Sequence, residues 1–176
     1  MRDHSRSAAL RRQFLLAGLL AMLPKRGRSQ EVLPPALMSA ATQVLAQLIE
    51  AARGKAIADG VKPIPSGVYR GLLGYFPDGL LRKARFAIGK AEGIALPSLA
   101  FTYGDKTAMT LGDVVLFRDP RSAETDLKLW AHELTHVLQY QRWGTEGFAA
   151  RYVRDHRGVE KEAYDNADRF AAWRAR

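Results

Sequence analysis

The stretch Trp130-Ala-His132-Glu133-Leu134-Thr135-His136-Val-Leu-Gln-Tyr140 decides how the chain is read. On a helix, residues four apart share a face, so His132 and His136 project side by side and can grip one ion. Neutral imidazole suits zinc, which in catalytic sites takes three protein ligands and leaves a fourth position for water. Glu133 is rotated off the ligand face, where it can take a proton from that water rather than bind the metal. The apolar spacing predicts a helix beginning near Glu124 and running through Trp130, His132, His136 and Tyr140 to Gly144. Asp119-Pro120 or Ser122 can cap it.

The chain has no cysteine and four histidines, so any metal must be held by imidazole and carboxylate. The third ligand is sought on a last helix, read from Val159 to about Trp173, which offers Glu160 and Glu162. At about 100° per residue, Val159, Ala163, Ala167 and Phe170 form its apolar face; Glu160 lies about 40° from the centre of that face and Glu162 about 120° away. A carboxylate held against a core needs a cation, whereas one on the polar side is already solvated. Glu160 is therefore the expected ligand, with Glu162 the alternative. Tyr140, one turn beyond His136, is a candidate transition-state stabiliser, against the plainer reading of a core tyrosine with a bonded hydroxyl. Trp130 and Trp143 read as packing residues, and His156 as solvated.

Working outward, residues 108–111 and 114–117 read as two strands joined by Gly112-Asp113, with glycine first as a type II′ turn requires. Upstream lie an amphipathic helix over 34–58 with a weak point at Gly54, helical pieces over 67–75 and 77–83, a strand over 84–88 and an irregular loop over 89–103. A further helix is read over 146–154. The expected class is α+β, mainly helical, with a small antiparallel sheet or hairpin preceding the metal-binding helix.

His132-Glu-Leu-Thr-His136-Val-Leu-Gln, followed by Glu160-Lys-Glu-Ala-Tyr and Ala167-Asp-Arg-Phe-Ala, resembles the glutamate-ligated zincins, the gluzincins. More narrowly it resembles the small domain of unknown function in proteins associated with extracellular contractile injection systems, over about residues 68–170. The resemblance implies a zincin-like fold, one Zn²⁺ held by His132, His136 and Glu160, and Glu133 as general base of a metallopeptidase. It also implies an edge strand lying antiparallel to substrate beside the metal helix, a part that falls to residues 114–117. Related sequences carry an acidic residue four positions after the ligating glutamate to hold a metal-bound histidine. Here Tyr164 stands there, leaving Asp165 or Asp168 as candidates for that support.

Of the formal charge of +9, seven basic residues against one acid lie within residues 1–29, so the mature chain is only mildly basic and no nucleic-acid partner is expected. That segment has the order of a secretory signal: Arg11-Arg12-Gln-Phe-Leu, a short apolar run, then Ser29 as the small residue at the cut. The paired arginines resemble a twin-arginine signal. Ten or so apolar residues make a helix of about 15 Å, too short to span a membrane. The reading is thus a signal peptide over 1–29 and a single minimal domain over 30–176, exported to a bacterial periplasm or the extracellular space. Its expected partner is a peptide or protein substrate. The rival expectation is a catalytically silent, zinc-stabilised binding or assembly module of the cell envelope or a secretion system.

Overall fold

The computed structural model describes residues 34–89 and 107–176. The signal-peptide reading at 1–29 and nearly all of the loop read at 89–103 lie outside them. Helix α1 (Pro35–Asp59) opens with Pro35 at its first turn, where a missing N–H costs nothing, and runs through Gly54 unbroken. Its buried stripe is Ala41, Leu45, Ile49, Ala52 and Ala56, an i, i+3/i+4 series. Then come β1 (Lys62–Pro63), α2 (Ser66–Leu72), α3 (Asp78–Lys83), β2 (Arg85–Ile88), the hairpin β3 (Ala108–Leu111) and β4 (Val114–Phe117), α4 (Pro120–Thr125) and α5 (Leu127–Arg174).

The hairpin forms as read, with Leu111 opposite Val114 and Gly112 at φ 65°, while no non-glycine residue described has positive φ. That is the φ pattern of a type II′ turn. The sheet is mixed rather than purely antiparallel: its order is β1-β2-β4-β3, and β2 runs parallel to β4. Packing explains the choice. Alongside β4, Phe86 shares a face with Phe117, and both rings meet Trp130, at 5.8 and 4.7 Å between centroids. The α+β class therefore holds, mainly helical with a small four-stranded sheet.

The metal-motif helix starts later than its apolar pattern suggests. Asp119 caps the separate short α4 by accepting the Ser122 N–H, and Asp126 leaves helical geometry to cap α5 by accepting the Leu129 N–H at 2.9 Å. Such a cap contributes about 1 kcal/mol, enough to set a boundary that periodicity alone misses. α5 is itself broken twice, at Gly144 (φ 68°, ψ 173°) and Asp155 (φ −152°, ψ 73°), giving three segments. The Asp155 carboxylate accepts the Gly158 N–H at 2.9 Å, so the last segment begins ahead of Val159. Around the first segment, Phe86, Ala108, Val115 and Phe117 pack with Trp130, Leu134 and Phe170. On the other face of the sheet, Leu111 packs with Leu45 and Ile49 of α1 and with Tyr140, Phe148 and Tyr152 of α5. No helix among the described residues is long and apolar enough to cross a membrane.

Candidate metal centre

The first segment of α5 is buried continuously from Trp130 to Val137, so its two histidines lie inside the protein rather than on a solvated face. His132 Nε2 and His136 Nε2 are 3.2 Å apart. The break at Asp155 turns the third segment back alongside the first and brings Glu160 in, with Oε2 3.5 Å from His132 Nε2 and Oε1 3.8 Å from His136 Nε2. Two donors on one tetrahedral zinc, each at 2.0–2.1 Å, stand about 3.3 Å apart, so this triangle has the dimensions of a ligand set. Among the described residues, these three form a group able to hold a metal ion, and all three are buried.

The donor chemistry fits a cation. Gln139 Oε1 lies 2.8 Å from His136 Nδ1, so that nitrogen carries the proton and Nε2 presents a lone pair. Burial pushes the His136 pKa below its ordinary value against the opposing pull of the Glu133 and Glu160 carboxylates, which favours the neutral ligand form. A lone pair and a carboxylate thus converge out of water, at a cost of several kcal/mol if uncompensated. A proton on His132 Nε2 satisfies one of these contacts; a divalent cation satisfies all three.

Glu133 stays out of the ligand group. It is 2% exposed, and its Oε2 accepts a hydrogen bond of 2.6 Å from the Thr110 hydroxyl of β3. His132 and Glu133 line a cleft of about 370 Å³ together with Thr107, Ala108, Asp126, Lys128, Leu129, Tyr164 and Ala167. Candidate ligand, candidate base and open space therefore meet on one side of the first segment.

Glu162, the alternative ligand, faces elsewhere: it accepts from Gln139 Nε2 at 3.0 Å and from Arg142 at 3.1 Å. Tyr140 is placed as a core residue. Its ring stacks on Phe148 at 4.0 Å, its hydroxyl donates to the Thr110 carbonyl, and burial raises its pKa well above the usual value. Asp165 pairs with Lys161 and Asp168 with Lys128 at the surface, so neither supports a histidine. Gln139 does so for His136, while His132 Nδ1 is buried without a hydrogen-bond partner and Tyr164 lays its ring 4.4 Å from the His132 ring. The edge-strand part moves as well: among the described residues β4 is flanked on both sides, and β3 is at the edge.

Three contributors were not singled out from sequence. Gln139 carried a signal, standing one turn after His136 on the same helix. Tyr152, whose hydroxyl donates to Glu160 Oε1 at 3.3 Å, and Thr110 carried none, because their contacts cross between segments.

Among known families, the model of the eCIS core domain matches residues 96–144. The matched stretch holds the hairpin and both histidines but stops short of Glu160. No curated protein and no solved structure matches the chain.

Proposed function

We propose that the protein is a gluzincin-type, zinc-dependent metallopeptidase that hydrolyses peptide bonds with Glu133 as general base. The observation that carries this reading is the separation of roles on one helix. His132 and His136 meet Glu160, while Glu133 stands outside that group and opens on the cleft. A structural site has no use for such a residue. His132, His136 and Glu160 would hold zinc, which when bound activates water and polarises a carbonyl. Glu133 then takes the proton and passes it to the leaving amine, its carboxylate kept in place by Thr110.

On this reading, substrate would lie along β3. The Arg118 N–H bonds the Thr107 carbonyl at 2.8 Å, which makes that pair inward-bonded. Main-chain groups alternate in an antiparallel ladder, so those of Ala108 point away from β4, to the edge that no described strand covers, beside His132 and Glu133. An extended peptide can pair there.

Glu133→Gln is expected to leave zinc content and fold unchanged while lowering hydrolysis of a peptide library and of envelope proteins roughly 10²- to 10⁴-fold. The second reading, a silent zinc-stabilised binding or assembly module, draws on the eCIS core domain match and on the low exposure of Glu133, 2%, at the wall of the cleft. It prevails if wild type and Glu133→Gln are equally inert yet hold zinc and capture the same partner. The sequence of residues 1–29 supports export to the periplasm or beyond by the twin-arginine route. Replacing Arg11 and Arg12 by lysine should block that export; unimpaired export of the variant contradicts it.

A further inference from the structure

Gln139 is wholly buried, and both ends of its amide are engaged. Nε2 donates to the Val159 carbonyl and to Glu162 Oε2, each at 3.0 Å, while Oε1 faces His136 Nδ1 at 2.8 Å. The orientation of this amide is determined. Turned over, its oxygen would face a carbonyl and a carboxylate, two acceptors with no proton to offer. Gln139 therefore holds the proton of His136 on Nδ1 and leaves Nε2 bare towards His132 and Glu160. Val159 immediately precedes Glu160, so the same amide also fixes the third segment where the carboxylate ligand leaves it. Behind it, Glu162 is held by Arg142 at 3.1 Å.

We infer that Gln139, backed by Glu162 and Arg142, is the positioning residue of the metal centre, selecting the tautomer of His136 and setting the spacing between His136 and Glu160. It does the work that an acidic residue at position 164 would do for a histidine, but for His136 rather than His132. The two imidazoles are consequently unequal. His136 is pre-set as a ligand, whereas His132, with no partner at Nδ1, is oriented by packing against Tyr164 and by the metal itself.

This inference rests on the proposed metal site, and its test separates the two. Imidazole ¹⁵N spectra of the metal-free wild-type protein should show His136 protonated at Nδ1; protonation at Nε2 overturns the inference whether or not zinc binds. Zinc affinity, measured by competition with a chromophoric chelator, should fall roughly 10- to 100-fold in Gln139→Met, the range for losing an outer-sphere partner. The metal-free variant should keep the wild-type near-ultraviolet circular dichroism. Wild-type affinity in Gln139→Met overturns the inference. A wild-type protein that binds no zinc but shows the Nδ1 tautomer instead overturns the metal site and leaves the role of Gln139 in fixing His136 intact.

Discussion

The two carboxylates of the Glu160-Lys-Glu162 stretch are two residues apart, and their surroundings differ. Glu160 is 8% exposed and faces two imidazoles; Glu162 faces an amide and a guanidinium. Glu160→Gln should therefore cost zinc affinity beyond the roughly 10- to 100-fold of an outer-sphere change, and Glu162→Gln should stay within it. Isothermal titration of both variants decides, and the reverse order would contradict the assignment. This distinction was legible in the sequence because Val159, Ala163, Ala167 and Phe170 mark a buried face whose angle to each glutamate follows from helical geometry alone. His132, Glu133 and His136 were legible for the same reason, all lying within two turns of one helix. The partners of Glu133 and Glu160 were not. Thr110 and Tyr152 reach the site only after the hairpin and the second segment of α5 have docked, and no local periodicity encodes that. The suggestion of Asp165 or Asp168 as histidine support failed because surface lysines already hold both carboxylates.

At the scale of elements, α5 depends on its breaks. Gly144 adopts φ 68° and ψ 173°, a region that residues with a Cβ essentially avoid. The turn sends the second segment back so that Phe148 stacks on Tyr140 at 4.0 Å and Tyr152 reaches Glu160. A Cβ at Gly144 would meet nothing within 4 Å, so Gly144→Ala tests backbone strain without steric conflict. It should lower stability by roughly 1–3 kcal/mol in urea unfolding; an unchanged midpoint would show that the turn relaxes freely. Helices and hairpin were readable from period and turn chemistry, and Gly144 was correctly read as an end. The start of α5 at Leu127 and the parallel pairing of β2 with β4 were not. The first depends on which of several acidic residues caps, and the second on where Phe86 finds Phe117 and Trp130.

For the molecule as a whole, the proposed ion would sit between segments that the chain brings together only through two breaks in a helix. The first segment packs into the cluster of Trp130, Leu134 and Phe170, and Val159 beside Glu160 belongs to the cluster of Leu45, Ile49 and Phe148. A bound metal would therefore tie the two halves of the core. The most direct measurement is anomalous diffraction at the zinc edge from crystals of protein purified without added metal. A single zinc peak is expected about 2.0–2.2 Å from His132 Nε2, His136 Nε2 and a Glu160 oxygen. No peak at that point, or a zinc held by Glu162 in place of Glu160, would contradict the proposed metal centre.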